Sequence, residues 1–436
     1  MNRPLVMVVS ATLALAVTAC GGGGGSDQKS AGPVKITVWS WKPASDGLAS
    51  VAKDFEQANP GIKIDVQVVG NPAIWEKITV GMAAGGKGLG DVLHIGIDYL
   101  PGYMEKFPGG LADLSELGAD KYKDAFAEGL WPTVTGKDGK AYAMPWEVNP
   151  VGFFYRSDLF DKAGIDAAAI RTWDDAIEAG KKLKEKTGAY LIGLNKPAAG
   201  SVDMDLFQSL LQQQGAFYFD RQGAVTLSSA PAVQAMTLIK KMNDAGIVAD
   251  TSGEGTRKKL ISEDKVAVLP WAAWGVGYIP ETWPKQKGLW RVMQPPAVVP
   301  GGKRTAIVNS TYLSVSGTSP HKAEAFKFLE YALTRPEVIN KMFEDGGVFP
   351  ALTAAYADPR FTARTDYYGG QPALKTFVDA LGEGADATYY SGDYARALKI
   401  ASDAQTQVLL KGADPAAALS QAAQQLSQQS GRKLAG

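Results

Sequence analysis

From Lys35 onward the chain switches repeatedly between the two side-chain periods a polypeptide can use to build a core. Lys35–Trp39 alternates polar and apolar residues, which is the pattern of a strand with one face buried. Leu48, Val51, Ala52 and Phe55 then recur at helical spacing, and Asn59-Pro60-Gly61 stops that helix. Ile62–Val69 alternates again, Ile74–Ala84 fits a second helix, and Asp91–Ile95 makes a third strand. This βαβαβ run predicts a parallel sheet covered by helices, because parallel neighbours need a crossover and the crossover is the helix. Further along, Thr172 and Asp175 predict a capping box for a helix running to about Lys186. Pro231 and Pro320 stand at first-turn positions, the latter behind Ser319 as N-cap. Ala189–Leu194, Val266–Leu269 and Tyr312–Val315 read as strands between helices, and Tyr394–Leu410 and the residues from Pro415 read as the last two helices. The fold class is α/β. Roughly 416 residues follow Cys20, too many for a single core, so two lobes are expected.

The beginning of the chain has another character. Asn2-Arg3 gives a short positive start, Leu5–Val17 an apolar run, and Cys20, the single cysteine, closes it before Gly21–Gly25. The run is too short for a membrane span and reads as a signal peptide over residues 1–19. Val17-Thr18-Ala19-Cys20 resembles the bacterial lipobox, whose cysteine is acylated and becomes the first residue of the mature protein. The alternative, an ordinary signal peptide with an incidental cysteine, would leave a lone thiol in an oxidising space. Cys20 is therefore expected to be lipidated, with residues 20–33 as a flexible Gly/Ser-rich tether. The protein is then exported and held at the outer face of the cell membrane, at the cell surface or in a periplasm. Lys and Arg balance Asp and Glu at 45 each, with no block of like charge, which argues against a nucleic-acid partner and leaves the acyl chains alone to hold the membrane.

Catalytic and cofactor motifs find little footing. Gly81-Met-Ala-Ala-Gly-Gly86-Lys87-Gly88 approaches the phosphate-cradling loop, but Gly88 stands where a magnesium-binding hydroxyl is needed, and a helix precedes the loop while a strand follows it. Of the two histidines, His94 falls in a strand and His321 in a helix first turn, and neither has a metal-ligand set or a nucleophile partner. Asp174-Asp175 and Asp203/Asp205 are explained by helix N-termini, which favour carboxylates. No cofactor and no metal are expected.

Four stretches then carry a resemblance to a known family. They are Ile36–Trp41 leading to Phe55–Gly61; Gly90–Leu93 with Asp98-Tyr99-Leu100 and Leu111–Leu114; Tyr142–Trp146 through Val151–Tyr155 to Asp158-Leu-Phe160 and Thr172-Trp173-Asp174; and Ala323–Leu333 with Gly346-Gly347 and Phe349-Pro350. In this order, behind a lipobox, the chain resembles an extracellular solute-binding protein, family 1, of the maltose-binding type, the receptor of an ABC sugar importer. Arg156 departs from the Asn or Lys usual after Tyr155 in that family. The resemblance implies a type II periplasmic-binding-protein-like fold of two lobes with three crossovers and a ligand cleft between them. The crossings are expected near Glu147–Gly152, Pro300–Arg304 and Gly346–Ala351. Lobe I then comprises 34–147 plus 304–346, and lobe II 150–300 plus 351–436. It also implies ABC permease subunits as partners, a monomer, and no enzymatic activity.

Within such a cleft, a sugar's C–H faces call for flat aromatic rings and its hydroxyl rim for charged or amide partners. Several of the ten tryptophans sit just past strand ends. The candidate aromatic faces are Trp41, Trp146, Trp271, Trp274 and Tyr368, with core packing the alternative for each, while Trp39 and Trp173 read as core. The candidate polar partners are Lys42, Glu147, Asn309, Ser310 and Asp98, the last at a position where the family places a carboxylate. Tyr99 and Phe349, from the resembling stretches, complete the set. The expected ligand is a neutral di- or oligosaccharide. The alternatives are another solute in the same fold, such as glycerol-3-phosphate or a polyamine, or an exported polysaccharide-degrading enzyme.

Overall fold

The computed structural model describes residues 32–197, 201–253 and 255–435. The signal peptide, Cys20 and most of the tether lie outside the described residues.

Among the described residues ten strands are formed: β1 (Val34–Ser40), β2 (Ile62–Val68), β3 (Val92–Gly96), β4 (Met144–Glu147), β5 (Val151–Arg156), β6 (Ile192–Leu194), β7 (Val248–Asp250), β8 (Val268–Ala272), β9 (Trp290–Met293) and β10 (Thr311–Val315). The first sheet runs β2-β1-β3-β10-β4, with β1, β2 and β3 parallel as the alternating sequence requires. β10 enters antiparallel between β3 and β4. The second sheet has β5 at its centre, antiparallel to β8 and β9. β6 and β7 pair in parallel. Ala267 donates to Tyr190 O at 3.0 Å and Val268 to Leu191 O at 2.8 Å, so the lead-in to β6 runs beside β8 and joins the two pieces. The molecule thus has two mixed sheets, each sandwiched by helices.

Local chemistry explains the covering helices. In Ala44–Ala58, Leu48, Val51, Ala52 and Phe55 line one face, which packs on the helix Pro336–Gly346. The approach is close: a Cβ at Gly47 would lie 2.6 Å from the Met342 carbonyl oxygen. The helix Trp173–Thr187 starts on the expected capping box, with the Asp175 amide donating to Thr172 Oγ1 at 3.2 Å and the Thr172 amide to Asp175 Oδ2 at 2.8 Å. Pro231 takes its first-turn position behind Ser229. Pro320 does not: that helix is Lys322–Leu333 with His321 at its N-cap position, and Ser319 Oγ, just ahead of it, accepts the His321 amide at 3.1 Å while donating to Asp91 Oδ1 at 2.6 Å. Arg156 is buried and forks onto Asp158 at 2.8 Å.

The chain passes between the sheets three times, and the passages hydrogen-bond to one another. Between β4 and β5, Val148 donates to Phe349 O at 3.0 Å and Val151 to Ala306 O at 2.9 Å. In return Ala351 donates to Trp146 O at 2.9 Å and Val308 to Asn149 O at 3.0 Å. The second passage therefore lies at Thr305–Ser310, a few residues beyond the expected Pro300–Arg304. Arg304 is turned back, its Nε donating to Pro295 O at 2.6 Å and its Nη2 to Gln294 O at 2.8 Å, which keeps residues 295–304 beside the second sheet.

At the end of the chain, Val225 donates to Lys433 O and Ala435 to Val225 O, each at 2.9 Å. Arg432 then reaches Asp393 at 2.9 Å and Glu105, on the helix Leu100–Lys106, at 3.0 Å. Glu105 also accepts the Gly392 amide at 2.9 Å.

Candidate functional site

The ends of β1 and β3 build a ladder of rings. Trp41, one residue past β1, lies parallel to His94 of β3, with centroids 3.6 Å apart and planes 4° apart. Its edge meets Trp75 at 5.1 Å, and Trp75 stacks on Tyr99 at 4.5 Å. Asp98 sits beside Tyr99 in the turn after β3. A Cβ at Gly96 would lie 2.4 Å from Asp98 Oδ1, so glycine there lets the carboxylate fold back over the strand end. Burial pushes Asp98 up to about 6.

The passages supply polar groups. Glu147, at the end of β4, accepts from Thr311 Oγ1 at 3.1 Å, and burial pushes its carboxyl up to about 7. Asn149 donates through Nδ2 to Asn309 O at 3.0 Å, and its amide donates to Ser310 Oγ at 3.4 Å. Asn309 adopts φ 54°, a left-handed conformation that asparagine tolerates better than most residues, and turns its Nδ2 to the Asp205 carboxylate at 3.2 Å. Ser310 O accepts the Ile97 amide at 2.9 Å, which ties this segment to the turn carrying Asp98.

The second sheet contributes another aromatic group. Trp271 at the end of β8 stacks on Trp274 at 5.1 Å, and Tyr278 on the helix Gly275–Thr282 meets Trp274 edge-on at 5.7 Å. Trp274 rests on Val151, Ala272, Ala306 and Val308, so it stands directly on two of the passages. Among the described residues, no ring of the Trp41 ladder is in ring contact with the Trp271–Trp274–Tyr278 group.

Three expected faces are corrected. Trp146 is fully buried, with His94 at 4.6 Å, and its Nε1 has no hydrogen-bond partner among the described residues. Phe349 is enclosed by Phe343, Tyr356, Phe361 and Phe377. Tyr368 is buried, its hydroxyl donating to Val276 O at 3.0 Å. A stacking platform needs an open face, and these three have none in this conformation. Lys42, ahead of the helix Ala44–Ala58, is turned onto Asp46 in its first turn at 2.5 Å. Trp41, Asp98, Tyr99, Trp271, Trp274 and Asn309 are partly exposed beside the passages, and Glu147 and Ser310 lie among them.

Asp205, Tyr278, Trp75 and His94 belong to this region as well. Asp205 reads from sequence as a helix-start carboxylate, and nothing local announces its partner Asn309, 104 residues on. Trp75 follows helical spacing like a core residue, and it is nearly buried. A separate groove of about 1120 Å³ lies between the helix Leu100–Lys106, Trp131–Tyr142, Phe219–Gly223 and Thr388–Ser391, and none of the twelve candidate ligand residues lines it. Among the described residues no group of three metal-ligating side chains is present, and no helix is long and apolar enough to cross a membrane.

Known proteins share this architecture. The lactose-binding protein of Rhizobium radiobacter is 25% identical over 424 residues, 94% of this chain and 95% of its own. The arabinooligosaccharide-binding protein of Bacillus subtilis (strain 168) is 25% identical over 440 residues, 97% and 98% respectively. The solved ABC transporter associated binding protein from B. animalis subsp. lactis Bl-04, in complex with beta-1,6-galactobiose, is 26% identical with a TM-score of 0.74, the match covering 93% of this chain and 100% of that one. The sequence profile of the bacterial extracellular solute-binding protein family matches residues 40–338, more than half of the chain. The two mixed sheets joined by three passages are the two-lobe fold of such receptors, and the chain belongs to the bacterial extracellular solute-binding proteins.

Proposed function

We propose that this chain captures a neutral di- or oligosaccharide between its two lobes and delivers it to the membrane permease of an ABC importer, anchored through acylated Cys20. The observation that carries this reading is the pair of ring groups, Trp41 with Tyr99 on one sheet and Trp271 with Trp274 on the other, meeting at passages lined with carboxylates and amides. Flat rings suit the C–H faces of pyranoses, and Asp98, Glu147 and Asn309 suit their hydroxyl rim. The carboxyl groups of Asp98, Glu147 and Asp205 offer acceptors to hydroxyls and no positive charge to an anionic solute. In this reading the first lobe comprises residues 34–147 with 311–346, and the second 151–293 with 351–435. Ligand contacts to both ring groups would favour a closed arrangement of the lobes over an open one. The relatives named for lactose and arabinooligosaccharide support a carbohydrate.

The test is a thermal-shift screen of the soluble form starting after Cys20, against neutral mono- and oligosaccharides, glycerol-3-phosphate and spermidine. Ligand at about 100 times its dissociation constant stabilises by about 2.7 kcal/mol, a readable shift. A stabilising oligosaccharide recovered intact supports the receptor. A response confined to glycerol-3-phosphate or spermidine replaces the ligand class, and hydrolysis of the sugar overturns the reading.

A further inference from the structure

Trp41 stands where the chain has already left the ladder of β1, yet its ring is not free. One face is covered by the His94 imidazole, almost perfectly parallel at 3.6 Å, Trp75 meets the ring at a steep angle with centroids 5.1 Å apart, and the residue as a whole stays partly exposed. His94 itself cannot reach a ligand, being 1% exposed. It is fixed by its surroundings: its strand lies between β1 and β10, Ser40 Oγ is 2.9 Å from its Nδ1, and Trp146 tilts against it at 4.6 Å. Burial holds the imidazole well below its usual range, so the ring is neutral and stacks as a flat, uncharged plate.

A tryptophan in an unsupported loop samples several rotamers, and binding must first select one. A ring already held in place spares that ordering cost, which raises affinity without adding a contact to the ligand. From this geometry we infer that His94 is a positioning residue of the binding site, the rear plate that fixes the Trp41 indole and presents its outer face to the sugar. The inference rests on the proposed role of Trp41 as a ligand face. Why a ring stands between Leu93 and Ile95 in a strand core then has an answer: a flat side chain lies under the indole, here with its Nδ1 beside Ser40 Oγ.

Two substitutions separate the plate from a merely structural core residue. His94→Phe keeps a flat ring and discards both nitrogens, and His94→Val suits a strand but discards the plane. Ser40→Ala, which frees the ring to turn, is a milder third variant. Each is made in the full soluble chain, shown to be folded by thermal unfolding, and read in two ways. The first is sugar affinity by calorimetry. The second is the emission and near-ultraviolet dichroism of Trp41, obtained by subtracting the same variant carrying Trp41→Phe. His94→Val is expected to weaken binding about tenfold and to shift the Trp41 emission to the red with loss of its dichroic band. His94→Phe is expected to stay within about twofold of the parent in affinity and to keep the Trp41 signature. The inference is overturned if His94→Val leaves both unchanged, or if His94→Phe loses as much as His94→Val. Should the parent bind no sugar at all, the functional reading fails, while the Trp41 spectra still decide whether His94 holds the indole.

Discussion

Trp274 and Glu147 stand within the same small region and answer to different measurements. Trp274 lies on Val151, Ala306 and Val308 with one side stacked on Trp271, so removing its ring takes away a ligand face without opening the main core. Trp274→Ala should weaken sugar binding by about 2 kcal/mol, roughly thirtyfold, with the unfolding temperature little changed; calorimetric titration checks it, and an unchanged dissociation constant would remove Trp274 from the site. Glu147 reports through its proton. The folded protein keeps a proton up to about pH 7 that an ordinary carboxyl, at 4.5, gives up earlier. The stability this contributes is complete below the ordinary value and is lost as pH rises through 7. Glu147→Gln keeps an acceptor for Thr311 and removes the titration. Its unfolding temperature should gain on the parent's between about pH 4.5 and 7 and level off above that, and a constant difference would show that the carboxyl titrates normally. At this scale the sequence was legible in part. Trp41, Trp271 and Trp274 follow strand ends, and strand ends are visible in the alternation. Trp146, Phe349 and Tyr368 occupy similar local positions, but what covers them is distant in sequence: Phe377 against Phe349, and the Val276 carbonyl above Tyr368.

Helices whose signals are local emerged near their expected bounds. Tyr394–Lys411, Pro415–Ser430 and Trp173–Thr187 all begin on residues that satisfy their own first turns or follow an apolar stripe. Thr172→Ala should cost about 1 kcal/mol in urea unfolding and leave sugar affinity unchanged, because the capping box acts on its own helix and on no ring of the site. The shifted second passage has a cause across a loop: the Arg304 side chain is claimed by the carbonyls of Gln294 and Pro295. No window of neighbouring residues contains that information.

For the whole molecule, the α/β class and the parallel β1–β2–β3 arrangement were legible because the period changes along one continuous stretch. The resemblance assigned residues 304–346 to the first lobe, but the insertion of β10 between β3 and β4 was not read from the sequence, since periodicity does not say which strands pair. The ion pairs of Arg432 join the end of the chain to the helix Leu100–Lys106, which begins directly after Tyr99 of the Trp41 ladder. An ion pair between the lobes stabilises the arrangement in which it is made, so Arg432→Ala should shift sugar affinity and the compact fraction in small-angle scattering together. Unchanged affinity would mean that the contact survives closure.

The position of β10 also sets a timetable. Thr311 pairs with Glu147 across 164 residues, so when a growing chain has completed β3 and β4, the slot between them is still empty. The first sheet must wait, its inner edges unpaired, until nearly all of the second has been synthesised. A chain that cannot close its first sheet early keeps that half open for most of its synthesis.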